Sequence, residues 1–314
     1  MDFVRANNIN DAYYQGLHYL LRFGVGEDCR NGPVIVAPTP MITEFREPWN
    51  RVLFSEARDA NPFFHLMESM WMLAGRKDVD FVAQFVPRMR EYSDDGYSIY
   101  GAYGWRWRNQ WRDQLPIVVD MLRDDPTTRR AVLTMWGVRE DLGYPGRDVP
   151  CNTHIYFGIR HGELQMTVCN RSNDIIWGLY GANAVHLSFL HEWIASCVGV
   201  RMGRYYHISN NYHLYPNNIP LTKLEEERPR DWYLEHPRHA HFPIVYDGED
   251  TEAVLGDVEA FCEDPRGNYD SLFVDGVVAP MYRAWDTRNL DACNKIAASD
   301  WRDAAKQWII RRMK

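Results

Sequence analysis

The chain has 314 residues, a hydrophobic fraction of 46% and a formal net charge of -8. This length and hydrophobic content suffice for a large core, and one elaborated domain accounts for them. The acidic balance argues against broad nucleic-acid binding, because the phosphate backbone favours a basic protein face. A free nucleotide remains an acceptable ligand, since it needs only a local cluster of arginines.

The 6 cysteines are irregularly spaced. They show neither a CxxC pair nor a zinc-type spacing, so we expect no metal site. The sequence has no signal-peptide pattern and no apolar run long enough to cross a membrane. We therefore expect a cytoplasmic protein whose thiols stay reduced.

Hydrophobic spacing predicts the first helices and strands in chain order. Residues 11–23 are predicted to form a helix, residues 33–45 a β-like stretch and residues 62–75 a second helix. Residues 130–137 predict a strand, because apolar and β-branched side chains follow one another there.

A hairpin is predicted directly after Cys151. Residues 154–160 and 164–170 are rich in β-branched and aromatic side chains, and residues 161–163 supply the turn. A hairpin returns the chain to its starting end. It therefore brings Arg171 back beside Cys151.

The residues around this hairpin suit chemistry on a pyrimidine nucleotide. Cys151 can attack a ring carbon only as thiolate, which nearby positive charge favours, and Arg171 is the nearest candidate for that charge. The run from Asp174 through Trp193 predicts a long buried helix. On it, Asn183 offers both a donor and an acceptor to a base edge.

These motifs resemble the thymidylate synthase superfamily. The similarity is carried first by Pro150-Cys151 and by residues 170–174, followed by Asn183. The other matching segments, in the order of the family, are residues 28–32, 68–75, 103–108, 125–130 and 211–215. A single Pro-Cys pair would carry no weight, whereas this ordered set extends over residues 14–215.

The resemblance implies a fold and an assembly. It implies an α+β, thymidylate synthase-like fold, in which a large mixed β-sheet is packed with helices and a dimer forms through the sheet. We expect one catalytic domain over residues 1–314, with a divergent helical region at about 251–314. Arg129 and Arg130 would be donated across the dimer interface to the phosphate site of the second subunit.

The resemblance also implies covalent catalysis on a deoxypyrimidine 5'-monophosphate, with 5,10-methylenetetrahydrofolate as cosubstrate. Glu68 would transfer protons, its pKa raised by burial. The implied catalytic residues are Cys151, Glu68, Asn183, Tyr103 and Asp174. The implied substrate-binding residues are Arg30, Arg129, Arg130, Arg171, Ser172, Asn170, His213 and Tyr215. The folate would contact Asp174, Gly178 and Trp107.

Two segments depart from the family pattern. The loop from Gly178 to Asn183 is one residue longer, so Ala182 is the ungapped alternative for the base-reading position. Residues 301–314 predict a basic helix in place of the short apolar tail that closes over the folate in ordinary synthases. Before it, residues 216–250 predict loops and short elements, and the chain after Thr251 favours helices.

The departures bear on the reaction. The resemblance implies an exocyclic methylene intermediate. Hydride transfer converts this methylene to a methyl group, and addition of water converts it to a hydroxymethyl group. A missing closing tail favours water, and Asn183 favours uracil, so we expect formation of 5-hydroxymethyl-dUMP. Thymidylate synthesis and dCMP hydroxymethylation stay open. A non-catalytic nucleotide-binding regulatory protein also stays open, although it would not need Glu68, Cys151 and Asn183.

Overall fold

A large mixed sheet is the centre of the fold. The computed structural model describes residues 1–217, 223, 226 and 230–313. The strands of the large sheet are β1 (Asp2–Ala6), β4 (Met41–Phe45), β5 (Val132–Thr134), β6 (Asn152–Arg160), β7 (Glu163–Asn170) and β9 (Arg201–Ser209). They lie in the order β1-β4-β9-β7-β6-β5. The pairs β1/β4 and β7/β9 are parallel, and the others are antiparallel.

A smaller sheet contributes residues to one side of the site. Its strands are β2 (Val25–Cys29), β3 (Gly32–Val36), β8 (Asn173–Asp174) and β10 (Tyr212–Leu214), in the order β2-β3-β10-β8. The β-like stretch predicted at residues 33–45 is thus divided between the two sheets. Pro38 and Pro40 stand at the division, where they lack the backbone donors that a continuous strand needs.

Helices cover the sheets. Those before the hairpin are α1 (Ile9–Phe23), α2 (Pro62–Leu73), α3 (Val79–Ala83), α4 (Tyr103–Trp105), α5 (Leu115–Asp124) and α6 (Val138–Asp141). Those after it are α7 (Ala184–Val198), α8 (Trp232–Glu235), α9 (Thr251–Glu263), α10 (Ala279–Thr287), α11 (Leu290–Cys293) and α12 (Ser299–Met313). A 3-10 helix spans Pro87–Tyr92, and π-helices span Arg106–Gln110, Ile175–Asn183 and Val274–Val278. The α+β prediction is confirmed; the dimer stays a prediction.

Two packed helices form the interior. The side chain of Asn61 caps α2 by accepting from the backbone N–H of Phe64 at 3.2 Å, and Pro62 occupies the first turn, where no backbone donor is needed. Helices α2 and α7 pack against each other. Both are buried along nearly their whole length, so any charged side chain on them lies in a low-dielectric surrounding.

The predicted hairpin is present with a tighter turn. Residues His161 and Gly162 have φ values of 53° and 75°, which the two-residue turn between β6 and β7 requires. Glu163 therefore belongs to β7 rather than to the turn. The strand predicted at residues 130–137 is also shorter, since only Val132–Thr134 pairs with β6.

The long buried helix after Asp174 has two parts. Residues Ile175–Asn183 form a π-helix, and α7 continues from Ala184 to Val198. A π-turn holds one more residue than an α-turn. The one-residue insertion expected between Gly178 and Asn183 stays a prediction, and a wider turn is a place that could hold it.

The C-terminal region is helical, as predicted. Helix α12 buries Trp301, Ala304, Ala305, Trp308 and Ile309. One cluster of buried side chains extends from Val4 to Ile309, while the one-domain organisation stays a prediction. Part of the loop predicted at residues 216–250 lies outside the described residues. No helix in the described ranges is long and apolar enough to cross a membrane.

Candidate active site

The hairpin brings Cys151 and Arg171 together. Cys151 directly precedes β6 and Arg171 directly follows β7, and the Arg171 N–H donates to the Cys151 carbonyl at 2.9 Å. The guanidinium donates from Nε to the carbonyl of Pro150 at 3.0 Å and from Nη2 to that of Val149 at 2.8 Å. These bonds fix the positive charge beside the peptide that carries the thiol.

Burial and charge act on the Cys151 thiol in opposite directions. Burial raises the pKa of Cys151 and outweighs the lowering by Arg171, while Asp148 and Asp174 raise it further. The sequence argument considered only the arginine. Arg171 is thus the named group that favours the thiolate, against burial and the two carboxylates.

A cavity of about 840 Å³ opens beside the hairpin. Five residues implied in the site line it: Arg30, Glu68, Asp174, Gly178 and Tyr215. Its walls also include Phe64, Met89, Trp177 and Ala182. Cys151 is not part of the lining, although the lining carboxylate Asp174 acts on its thiol. The lining thus combines apolar side chains with six charged ones: Arg30, Glu68, Arg88, Glu91, Arg147 and Asp174.

Glu68 lies in the middle of the buried helix α2. Its side chain is 14% exposed, and its Oε2 lies 3.1 Å from Nε2 of His186 on α7. Burial, with a smaller contribution from Asp148, raises the pKa of Glu68 to about 8. A carboxyl with such a pKa can give or take a proton near neutral pH.

Asp174 begins the π-helix and faces the cavity. Its Oδ1 accepts from the backbone N–H of Ile176 at 3.0 Å. Burial raises its pKa to about 6, opposed by backbone bonds from Ile176 and Trp177 and by the charge of Arg58. The carboxylate is thus held in position at the cavity wall.

The buried Arg58 was not identified from the sequence. Its Nε donates to the Ile176 carbonyl at 2.9 Å, and its guanidinium lies 4.7 Å from the ring centre of Trp177. A Cβ at position 181 would stand 2.4 Å from Arg58 Nη2, so the glycine there makes room for the arginine. Two features of the sequence could have pointed to this arginine: its place directly before Asp59, and the glycine at position 181.

Asn183 lies next to a chain of buried polar groups. Its Nδ2 donates to Oδ1 of Asn173 at 3.3 Å, and Asn173 Nδ2 donates to Ser209 Oγ at 2.9 Å. The neighbouring Ala182 lines the cavity but offers no side-chain donor or acceptor. Gly178 lines the cavity, and a Cβ added there would lie 3.8 Å from Asn183 Nδ2.

His213 and Tyr215 form a pair at the other wall. Their rings meet edge to face with centres 5.1 Å apart, in line with the expectation that both point to one face. Tyr215 Oη accepts from Asn31 Nδ2 at 3.4 Å. Burial lowers the pKa of His213 to about 4, so the ring is neutral near pH 7.

Two further residues implied in the site surround the thiol. Tyr103 Oη accepts from the backbone N–H of Asn152 at 3.4 Å, directly after Cys151. Asn170 is buried, and neither atom of its amide has a hydrogen-bond partner among the described residues. Buried orphan amides are uncommon and are typical of sites that receive a ligand or water.

The remaining implied residues lie elsewhere within this chain. Arg129 and Arg130 are exposed just before β5, the edge strand of the large sheet, and Ser172 is half-buried between Arg171 and β8. Trp107 has no exposed surface and does not line the cavity. The folate contact expected for Trp107 stays a prediction.

The C-terminal helix is fixed against the body. The guanidinium of Arg312 lies 3.5 Å from the ring centre of Trp308 and donates to Asp59 Oδ2 at 2.5 Å. Arg311 Nε donates to the same carboxylate at 3.2 Å. Residues 299–313 therefore do not form a free tail.

Comparison with known proteins gives a consistent family. A thymidylate synthase family model matches residues 59–238. The chain is 42% identical to a deoxyuridylate hydroxymethyltransferase of Pseudomonas phage M6, over 99% of this chain and 95% of that protein. It is 38% identical to a deoxyuridylate hydroxymethyltransferase of Bacillus phage SP01, over 75% of this chain and 66% of that protein. A putative thymidylate synthase of Methanosarcina acetivorans is 28% identical over 70% of this chain and 92% of that protein.

The sequence motifs, the mixed sheet and these similarities agree. The family predicted from the ordered motifs is confirmed by a match that covers more than half of the chain and by a relative similar over nearly its full length. The chain belongs to the thymidylate synthase family.

Proposed function

We propose that this protein transfers a one-carbon unit from 5,10-methylenetetrahydrofolate to C5 of dUMP and completes the reaction with water, forming 5-hydroxymethyl-dUMP. One observation carries the proposal: the full-length relative at 42% identity is named a deoxyuridylate hydroxymethyltransferase. A shorter match at 30% identity, from Delftia phage PhiW-14, has the same name.

Cys151 begins the reaction as nucleophile. Its sulfur forms a bond to C6 of the pyrimidine, and the displaced electron pair makes C5 a carbon nucleophile. Arg171 favours the thiolate, since its charge lowers the pKa that burial raises. Tyr103 accepts from the backbone N–H that follows Cys151, so its hydroxyl lies near the nucleophile and takes part in catalysis there.

The nucleotide is bound through its phosphate, sugar and base. Arginine suits the phosphate because its planar fork makes paired hydrogen bonds. The phosphate ligands are Arg30, Arg171 and Ser172, with Arg129 and Arg130 donated by a second copy of the chain. The exposure of Arg129 and Arg130 before the edge strand suits that donation. His213 and Tyr215 bind the sugar 3'-hydroxyl, and Asn170 and Asn183 contact the base.

The folate occupies the cavity beside the base. Asp174 would accept from the donor edge of the pterin, and Gly178 leaves the wall open there. The aromatic side chains Phe64 and Trp177, which line the cavity, suit a flat ring system. C5 attacks the one-carbon unit, and Glu68 takes the C5 proton, which leaves an exocyclic methylene group on the base once the folate departs.

None of the described residues of α12, Ser299–Met313, lines the cavity, which supports water as the group that completes the product. In the family, an apolar tail closes over the folate and excludes water, which favours hydride transfer. Here α12 is held by Asp59 and buries Trp308 in the body. This placement supports the access of water to the methylene carbon and its addition there.

Product mass tests the proposal directly. Purified protein is incubated with dUMP or dCMP and methylenetetrahydrofolate, with Cys151→Ser as the inactive control. We expect dUMP to gain the mass of CH2O without a rise in dihydrofolate absorbance. A gain of CH2 with dihydrofolate formation would establish methylation. A product from dCMP instead of dUMP would show that cytosine is the base. No product from either nucleotide would favour a non-catalytic binding protein.

Methylation is the second candidate. The putative thymidylate synthase of Methanosarcina acetivorans favours it, with 28% identity. Its lower identity makes hydride transfer the less supported outcome.

A further inference from the structure

Glu68 has one protein neighbour in hydrogen-bonding range. The Oε2 of Glu68 lies 3.1 Å from Nε2 of His186, and their side chains are 14% and 2% exposed. Within the described residues, no other protein group is placed at hydrogen-bonding distance from this carboxylate. The contact joins the two central helices, α2 and α7, and Glu68 also lines the cavity.

His186 is neutral in this position. Burial lowers its pKa to about 3, and the pKa of the adjacent His65 on α2 is also lowered by burial, by Arg58 and by His186. Asp148 acts on Glu68 from the loop before Cys151. The negative charge of Asp148 disfavours the ionised form of Glu68. The imidazole N–H of His186 is the neighbouring group that can stabilise this ionised form.

The Glu68–His186 contact has the geometry of a hydrogen bond that is not yet formed. The two atoms are close, but the His186 ring nitrogen does not form a well-aligned hydrogen bond. Hydrogen bonds between catalytic groups are often long or poorly aligned before substrate binds. At 3.1 Å the two atoms are already within hydrogen-bonding distance, so only the alignment of the N–H has to change.

His186 also shares a helix face with Asn183. The two are three residues apart where the π-helix passes into α7, and residues at that spacing are neighbours on a helix surface. One helix end thus presents both the base-reading amide and the partner of Glu68. Any shift of this end moves both groups together.

We propose that His186 is a positioning residue that holds Glu68 for proton transfer, including the step in which water adds to the exocyclic methylene. By then the proton that Glu68 took from C5 has passed to the departing folate, so the carboxylate is ionised again. The water oxygen bonds to the methylene carbon while one of its protons passes to Glu68. The displaced electron pair moves through the ring to form the C5=C6 double bond, and the C6–S bond breaks to return the Cys151 thiolate. The water-addition part rests on the proposed function, whereas the positioning of Glu68 does not.

Variants of His186 test the role. His186→Leu removes the donor and His186→Gln retains one, so we expect a loss in kcat of roughly 10- to 100-fold for the first and a partial recovery for the second. We expect KM for dUMP to stay near the wild-type value, because His186 is not among the residues assigned to the nucleotide. Without the N–H, the ionised form of Glu68 is less stable, so the rise of kcat with pH moves to higher pH.

His191 supplies the matched control. It is buried on the same helix, where its Nε2 lies 2.7 Å from the carbonyl of Leu164 and away from Glu68. His191→Leu and His191→Gln lose stability without moving the pH profile. If His186→Leu does not fold, the two Gln variants carry the comparison.

The readouts separate this inference from the proposed function. Release of tritium from C5-labelled dUMP reports proton transfer by Glu68 whichever product forms, and wild-type product mass reports the function. A His186 variant with the wild-type pH profile, or one that differs from its His191 counterpart only in stability, would overturn the inference. A methylated product would overturn the proposed function alone.

Discussion

The Arg171 guanidinium donates from Nε to the carbonyl oxygen of Pro150 at 3.0 Å, so its charge is fixed next to the peptide that leads into Cys151. Two carbonyls hold the guanidinium, those of Pro150 and Val149. The charge therefore acts on the thiol in the absence of substrate, and its effect can be measured in the free protein.

Replacing Arg171 changes the ionisation of the thiol. Arg171→Gln removes the charge that lowers the pKa of Cys151, so alkylation of this thiol by iodoacetamide moves to higher pH. Arg160→Gln, at the far end of the same hairpin, serves as control. An unchanged alkylation profile in Arg171→Gln would contradict the role of the charge. Cys151→Ser identifies the signal that belongs to this thiol.

Replacing Glu68 changes stability with pH. The folded pKa of about 8 is above the ordinary value, so the protonated carboxyl is favoured by folding. The stability it contributes is complete below the unfolded pKa and is lost as pH rises through 8. Glu68→Gln stays neutral at every pH. Between the unfolded pKa and pH 8, its free energy of unfolding therefore rises relative to that of the wild type, by at most about 5 kcal/mol. Urea unfolding at several pH values measures the difference, and parallel curves for the two proteins would contradict the raised pKa.

Replacing Asn183 changes the base that is accepted. Asn183→Asp presents acceptors in place of the amide donor, which suits the amino group of cytosine better than the carbonyl of uracil. We expect kcat/KM for dUMP to fall by roughly 10- to 100-fold and dCMP to become the better substrate. Ala182→Ser is the control for the ungapped alternative. A loss of uracil preference in Ala182→Ser alone would move the base-reading role to residue 182.

Mixing two inactive variants tests the shared phosphate site. Arg129→Ala lacks the donated arginine, and Cys151→Ser lacks the nucleophile. A mixed dimer contains one site with both intact residues, so activity returns on mixing and depends on the ratio of the two proteins. Activity that stays absent at every ratio would show that each chain supplies its own phosphate ligands.

Releasing the C-terminal helix lowers stability slightly. Asp59 accepts from Arg311 and Arg312, and Asp59→Asn removes the charge while keeping a residue that tolerates the φ of 51°. We expect a loss of about 1 kcal/mol or less, because the groups are partly exposed. Asp80→Asn, which breaks the exposed pair with Arg90, should cost less in the same urea unfolding experiment.

Local patterns were sufficient for much of the fold. The hairpin and helices α1 and α2 follow from hydrophobic period and turn residues, and the ordered motifs identify the family. Strand limits were less accurate. The division of residues 33–45 between two sheets depends on which distant strand each half pairs with, β10 for the first and β9 for the second.

The electrostatics of the site could not be predicted from the sequence. Arg58, Asp148 and His186 acquire their roles through contacts with residues far away in the chain. The raised pKa of Glu68 was expected from its place in an apolar helix, but the net direction for Cys151 was not, because burial acts there against Arg171. Sequence spacing can indicate that a residue belongs to the site, but it does not give the burial of its side chain, which decides the direction of its pKa shift.

The wide helical turn at Ile175–Asn183 has a consequence for comparing members of this family. Successive residues of a helix are rotated by about 100°, so an ungapped superposition turns every side chain after the insertion away from its counterpart. If the predicted extra residue lies in this turn, an ungapped comparison with family members that lack it would pair the wrong positions from Asn183 onward. Pairing residues by the direction of the side chain, instead of by count, restores the correspondence between active sites that differ by a single amino acid.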